Sequence, residues 1–443
     1  MISVQLKAQT DIDTTTLSSY AAKVCYTATP PEMGQLIRVK ERLFDTGHHT
    51  TIEHNHFTFL LDGMSVSSIV FGMHLNAPYY NTDQRSGRFS KMYDNPDLNE
   101  IRAYLTDIYP NEDIDSAVTF VKKGLNIYQN HIGPLTDLAA QMIRQERPLA
   151  GEAYIEQNAK KFAQEQLRVF ISQVMPTALV MTVNISALAA LWRVAWSPEM
   201  RRITDGMRDE VLRVQPDLAY MFDSEKRQNR DWSPCAVLDH GQILTQPVCR
   251  LISADIGEVQ LPDSKDAVDL LPFSPVSMNN QLSLVKTEIT ASCGTIGEDQ
   301  RHRSIHRGEP VLTGDFYLPP LLQKGGLKPL AEEYLASYRA LAGRLSPALM
   351  TTIAPYGMMA KYMKVAHLNA LLHEQGKRLC WCAQEEISDL SRQLREQLIT
   401  LYPALAERLA PPCYRGKCLE GVRFCGRQIN KDKVSDYFPR RIV

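Results

Sequence analysis

Gln300-Arg301-His302-Arg303-Ser304-Ile305-His306-Arg307-Gly308 is the stretch on which the reading of this chain turns. It follows a run from Thr287 to Gln300 without lysine or arginine and then packs three arginines and two histidines into a few positions. Such a concentration of positive charge suits a polyanion or an electron-rich ring. Alone, it reads equally as solvated surface or a loose nucleic-acid contact. The company it keeps decides between these.

The chain has 443 residues, enough for two or three domains, and Lys+Arg 49 against Asp+Glu 50 leave a net charge of -1. No global field draws it onto nucleic acid or a membrane, so a basic site has to be local. Nine cysteines in a long chain with no apolar leader point to a reducing, cytoplasmic setting rather than a disulfide framework. The most apolar stretch, Ile171 to Trp192, carries Gln173, Pro176, Thr182, Asn184 and Ser186. Each would be costly in lipid, so no membrane span is expected.

Upstream, Ser3 to Ala8 alternates as a strand, Thr15 to Val24 reads as a helix, and Gln35 to Leu43 as a second helix stopping at Gly47. His48, His49, His54 and His56 follow around a strand predicted from Phe57 to Leu61. His54 and His56 would share one face without a full ligand set, so no metal is expected there. Ser86-Gly87-Arg88 offers a hydroxyl, a free amide and a guanidinium, the parts a phosphate needs. Helices are predicted from Asn99, Ser116 and Ala153 onward, another opening with Thr182 to Leu188, and another from Glu199 to Val214. Polar residues 227–234 read as a linker. Beyond it come strands at Ala236–Leu238, Val248–Ile252 and Leu282–Ile289, then helices from Leu330 to Leu345, Met358 to Glu374 and Glu385 to Leu401. Ile387, Leu390, Leu394, Leu398 and Leu401 form an apolar stripe on the last. The order of elements repeats, which makes an internal duplication plausible.

These residues resemble the flavin-dependent thymidylate synthase family. In the first half the resemblance lies in Ala21-Ala22-Lys23-Val24-Cys25-Tyr26, in Gly47-His48-x-Thr50-x-x-Glu53-His54-x-x-Phe57-Thr58-Phe59, in Ser86-Gly87-Arg88-Phe89-Ser90-Lys91, and in Thr182-Val183-Asn184. In the second half it lies in Arg301-His302-Arg303, in Asp315 to Pro319, and in Arg378-x-x-x-x-Ala383-Gln384-x-Glu386-Ile387. The family's signature joins an Arg-His-Arg triplet to a downstream Ser-x-Arg. Here the first copy reads Met73-His74-Leu75 at the triplet but keeps Ser86 and Arg88, whereas the second keeps the triplet and has lost the loop.

The resemblance implies an α+β protein of two tandem copies, residues 1–226 and 235–443, each a small, mostly antiparallel sheet packed with several helices. It further implies FAD-dependent, folate-linked C1 transfer to the uracil of dUMP, giving dTMP at a composite site. FAD would be the cofactor, methylenetetrahydrofolate and NADPH the co-substrates, and a homodimer the assembly; neither nucleic acid nor membrane is an expected partner. Arg378 falls where the family carries its substrate-activating arginine, against Ala195 in the first copy. Arg168 falls where an arginine grips the nucleotide phosphate, against Thr351 in the second. Arg301, His302, Arg303, His48, Thr50, Thr51 and Asn184 would bind the cofactor, and Ser86, Gly87, Arg88 and Arg168 the substrate. His367, Asn369 and His373 stand where the family prefers Asn, Arg and Asn, which keeps another pyrimidine nucleotide or hydroxymethylation open. A non-catalytic nucleotide- or RNA-binding protein is the reading of a different class.

Cys413, Cys418 and Cys425 resemble a cysteine-containing tail of some family members. Three thiolates could bind zinc with a fourth ligand, but the spacing is not that of a standard finger, so reduced, partly buried thiols are expected. Cys380 and Cys382, flanking Trp381, read as packing residues.

Overall fold

In the computed structural model, residues 2–75, 80–85, 87, 96–228, 233–235, 241–257, 280–415, 418, 420–427 and 438–443 are described. The chain begins β1 (Ser3–Gln9), α1 (Thr14–Val24), β2 (His56–Ser65), α2 (Val66–Ser68), β3 (Tyr80–Gln84) and α3 (Leu98–Ile108). It continues through α4 (Ile114–Glu146), α5 (Glu152–Leu167), β4 (Pro176–Asn184), α6 (Ile185–Arg193) and α7 (Pro198–Val214). Then come β5 (Ile243–Leu244), β6 (Val248–Asp255), β7 (Leu284–Ser292), α8 (Cys293–Asp299), β8 (His306–Arg307) and β9 (Val311–Tyr317). Helices α9 (Pro320–Lys324), α10 (Lys328–Arg339) and α11 (Pro347–Ile353) precede β10 (Met358–Ala366), α12 (Leu368–Arg378) and α13 (Glu385–Leu401). This is a mixed α+β fold with largely antiparallel sheets. Among the described residues no helix is long and apolar enough to cross a membrane.

Two compact units result. The first comprises Met1–Ser86, Asn99–Glu112 and Val174–Ser233, and the second Gly87–Leu98, Asp113–Gln173 and Pro234–Val443. As packing units they do not divide at the linker, because α4 and α5 belong to the second. The reason is aromatic burial: Phe120 of α4 stacks on Tyr334 of α10 at 4.8 Å, and the Tyr334 hydroxyl donates to the Phe170 carbonyl at 2.6 Å. A Cβ on Gly124 would lie 2.1 Å from that same carbonyl oxygen, so this approach requires glycine.

The first unit is an antiparallel sheet in the order β1-β2-β4-β3. Strand β2 buries Phe57, Phe59 and Leu61, alternate residues on one face, against a core that includes Met181, Val183, Leu188 and Trp192. Gly63, at φ 75°, sits where the register with β4 shifts between Asp62 and Met64. The helix expected to open at Thr182 is a strand as far as Asn184, since Leu179, Met181 and Val183 are buried with period two. The helix expected from Gln35 to Leu43 reduces to a π-helical turn, Lys40–Phe44. Leu36 is exposed while Val39 and Leu43 are buried, and so short a segment is not stable without an apolar face to bury.

The second unit carries the order β6-β7-β10-β9, with β5 joining β9 in parallel and β8 pairing β10. Here too an expected helix is a strand: Met358 to Ala366 pairs with both β7 and β9, and only His367 starts the helix. Its Met, Ala and Lys favour helix, but pairing on both edges overrides that preference. In α13, Ile387, Leu390, Leu394 and Leu398 are buried as expected, while Leu401 is exposed at its end. Ala236–Leu238 lies outside the described residues.

Within each unit the same local device recurs. Ser65 ends β2 and caps α2, and Glu199 accepts from its backbone N at 2.7 Å and from its hydroxyl at 2.8 Å. Ser292 ends β7 and caps α8, and Glu386 accepts from the same two groups at 2.7 and 2.5 Å. Asn184 caps α6 and His367 caps α12, each with its side chain accepting from the amide three residues on.

Candidate functional site: arginines gathered on Glu298

Helix α8 is only two turns long, and its C-terminal end delivers Glu298, Asp299 and Gln300 into the turn that holds the basic triplet. Below that turn lies a buried ionic cluster. Arg307 Nε meets Asp299 Oδ2 at 2.5 Å, Lys364 Nζ donates to Asp299 Oδ1 at 2.8 Å and to Glu374 Oε1 at 2.5 Å, and the Tyr362 hydroxyl donates to Asp299 Oδ2 at 3.0 Å. Burial disfavours charge on Asp299, but Arg307 and Lys364 outweigh it and hold the carboxyl well below the usual range. Glu374 goes the other way, pushed up chiefly by burial. Arg307 also donates to the carbonyls of His302 and Ile305, at 3.1 and 2.9 Å. The cluster therefore fixes the backbone that presents the triplet.

Arg378 is the last residue of α12, where a cation complements the helix dipole. Its Nη2 donates to the Glu298 carbonyl at 2.5 Å, its Nη1 to Glu298 Oε2 at 3.2 Å, and its Nε to His302 Nε2 at 2.8 Å. That last bond makes Nε2 an acceptor, so the His302 proton resides on Nδ1. Burial, followed by the charge of Arg378, holds the His302 pKa well below its ordinary value and the ring neutral. Arg168, which follows α5, reaches the same carboxylate from another side: its Nη2 lies 3.8 Å from Glu298 Oε1, and its guanidinium sits 5.4 Å over the Tyr356 ring. The two arginine side chains are 7% and 13% exposed and the carboxylate 17%. Two nearly buried cations thus share one acidic group.

The other expected site residues fall as follows. Arg301 is exposed, and half-buried Arg303 donates to the Gln300 carbonyl at 3.3 Å. Buried His302 lies between them, its Nδ1 without a partner among the described residues. In the first unit, His48 and Thr50 are exposed and Thr51 donates to the His48 carbonyl at 3.2 Å. Asn184 is buried with its side-chain oxygen engaged by the Ala187 amide at 2.8 Å, a helix cap that the sequence reading had not assigned. The Gly87 carbonyl accepts from Gln164 at 3.2 Å, while Ser86 and Arg88 lie outside the described residues. Of the altered positions, Asn369 is buried and bonded to Asn280 at 3.0 Å, and the His373 ring meets His302 edge-on at 5.5 Å.

Sequence reasoning missed Glu298, Asp299, Lys364 and Glu374. The acidic pair one residue before the triplet was a usable signal, because cations partly buried in a fold need counter-charge nearby.

One further carboxylate in the second unit has a distinctive titration. Burial, then Glu165 and Glu386, push the Glu385 carboxyl up to about 8. A raised folded-state value means its stabilising contribution is lost as pH rises through that value. Glu385→Gln, which mimics the protonated acid, is expected to flatten the fall in melting temperature between the ordinary carboxylate range and about pH 8, as thermal melts across that range would read. An unchanged slope would assign the effect elsewhere.

Residues 7–217 match the family model described as thymidylate synthase complementing protein, Thy1. No curated protein is similar to the chain in sequence. Among solved structures, the chain is similar to the UMP/dUMP methylase PolB from Streptomyces cacaoi bound with 5-Br dUMP. That match has 16% identity and a TM-score of 0.36, covering 52% of this chain and 98% of that one. The same protein bound with 5-Br UMP matches at 13% identity and a TM-score of 0.34, over 52% and 97%.

Proposed function

We propose that this protein is a thymidylate synthase-like methyltransferase: FAD-dependent, folate-linked reductive methylation of the uracil of dUMP to dTMP, with NADPH as reductant. The family match supports nucleotide methylation in the broad sense. The observation that carries the finer reading is the convergence of Arg168 and Arg378 on Glu298. Burying two guanidiniums is favourable only with anionic partners, and a nucleotide brings both a phosphate and a carbonyl edge on which negative charge can develop. Arg378, held by three hydrogen bonds, would stabilise charge on the uracil carbonyl side and so make carbon 5 nucleophilic. Arg168, with Ser86, Gly87 and Arg88, would hold the phosphate.

Exposed Arg301, half-buried Arg303 and the partnerless Nδ1 of buried His302 fit a flavin, as charge partners and as a hydrogen-bond donor; His48, Thr50, Thr51 and Asn184 would complete its pocket. Bound there, FAD would supply the reducing equivalents of the methylation. The chain's own part is to position the nucleotide and keep Arg378 charged against its base.

We read the chain as two divergent copies, residues 1–226 and 235–443, that together build the site, in a homodimer in the cytoplasm. Support comes from the equal strand orders, β1-β2-β4-β3 and β6-β7-β10-β9, and from the matched Ser65–Glu199 and Ser292–Glu386 pairs. The caps Asn184 and His367 give the register that sets Arg168 against Thr351 and Ala195 against Arg378. His373 beside His302 favours one second reading, a different pyrimidine nucleotide or hydroxymethylation as product. A non-catalytic nucleotide- or RNA-binding protein is the alternative of another class.

The test is an absorbance spectrum of the purified protein with FAD and then dUMP, followed by product mass. A flavin spectrum perturbed by dUMP and a product heavier by one methyl group are expected. A hydroxymethyl increment would select the second reading. No flavin binding, with steeply salt-dependent RNA binding instead, would overturn both enzyme readings.

A further inference from the structure

Five of the nine cysteines meet in one place. Cys380 and Cys382, after α12, line a solvent-open hollow of about 390 Å³ together with Cys413, Cys418 and Cys425 from the C-terminal segment. None of the nine, all among the described residues, is in a disulfide. Glu420 and Arg427 complete the polar lining, and Trp381, Leu379, Pro411 and Phe424 its apolar part.

The segment that brings the tail cysteines here is anchored at a defined point. Buried Arg147 donates to the Cys425 carbonyl at 3.3 Å, and the Leu149 amide to the Gly426 carbonyl at 2.8 Å. Gly426 has φ 73°, and a Cβ there would lie 2.5 Å from the Ala150 nitrogen, so the chain can pass only as glycine. Cys382 Sγ contacts the Arg423 carbonyl at 3.2 Å, tying the 380–382 turn to the tail directly.

We propose that these cysteines form a thiolate-ligated metal centre, four of the five binding either zinc or an iron–sulfur cluster. Both ligands call for the same soft donor set, and the three tail thiols that lacked a fourth partner in sequence have two within the same hollow. Arg427, whose guanidinium sits 4.3 Å over the Trp381 ring, supplies positive charge beside what becomes a dianionic centre. As they stand, no three described Cys, His, Asp or Glu side chains are grouped closely enough to hold an ion. Binding therefore requires four of the thiols to close up within the hollow they already share, around the fixed point at Cys425 and Gly426. This revises the expectation of no metal, and it is independent of the reaction proposed above.

The test is elemental analysis of the full-length protein purified under reducing, anaerobic conditions. About one zinc, or about four irons with matching acid-labile sulfide, per chain is expected, the ratio naming the ligand. The double variant Cys418→Ser/Cys425→Ser should lose at least tenfold of it, whereas Cys25→Ser, exposed and outside the hollow, should keep it. If the double variant fails to fold, cobalt titration of the unmutated protein replaces it, and a thiolate-to-cobalt charge-transfer band with tetrahedral ligand-field bands is expected. Metal binding should also slow tryptic cleavage after Arg415, Lys417 and Arg423 in the tail. Absence of metal even after reconstitution with zinc or with iron and sulfide, full metal content in the double variant, or disulfides among these five in the reduced preparation would each overturn the proposal.

Discussion

Arg378→Ala is expected to lower turnover of dUMP by about a hundredfold to a thousandfold, the usual consequence of removing a charged group from developing transition-state charge. The side chain has no substitute in place: its Nε holds His302, its other nitrogens hold Glu298, and the first copy offers Ala195 at the corresponding position in the proposed register. The substitution would also leave His302 Nε2 and Glu298 short of a donor, at a cost of about 1 to 3 kcal/mol each in stability. Flavin content and a thermal melt must therefore accompany the rate. Arg378→Lys restores charge without the planar fork and should recover stability more than turnover. Near-normal turnover of either variant, with flavin bound, would remove Arg378 from the role of activating arginine.

The largest stability effect is expected from Lys364→Met. Lys364 neutralises Asp299 and Glu374 together inside the second unit, with both carboxylates and its own amine almost fully buried. Removing it leaves Arg307 as the remaining cation of the cluster beside two acids, and breaking a buried pair in this way costs about 3 to 5 kcal/mol. Adding Glu374→Leu removes the acid left without its ion-pair partner and should recover part of that loss, a coupling measurable by urea denaturation of the single and double variants. Because Asp299 is held below its unfolded pKa, its contribution is present above the ordinary carboxylate range and is lost as pH falls. Additive, small effects of the two substitutions would mean the cluster is not the support of the triplet turn.

Parts of this could be read before any fold was known. Strands β1 and β2, helices α1 and α3 and the long helices follow from apolar periodicity, since residues two apart on a strand or three and four apart on a helix must share the buried face, while the α+β class came from the family resemblance. Strands β4 and β10 were not legible. Their residues suit a helix almost as well, and pairing with neighbours far along the chain is what selects the extended form. The candidate arginines Arg168 and Arg378 were legible as a family resemblance, and their type alone suggested anion binding.

By itself, then, the sequence determined the local periodicities, the absence of strong net charge, and which residues had the chemistry to pair with an anion. The tertiary structure alone decided which of them meet. Glu298 became the shared counter-ion of two arginines more than 200 positions apart, and the buried lysine, arginine and acids under the triplet became its support. It also gathered into one hollow five cysteines from separate stretches that spacing alone had left as packing residues and stray thiols. The physical reason is the same in each case: charge neutralisation and ligand sets are properties of distance in space, and a low-dielectric interior strengthens them at a few ångströms irrespective of separation along the chain.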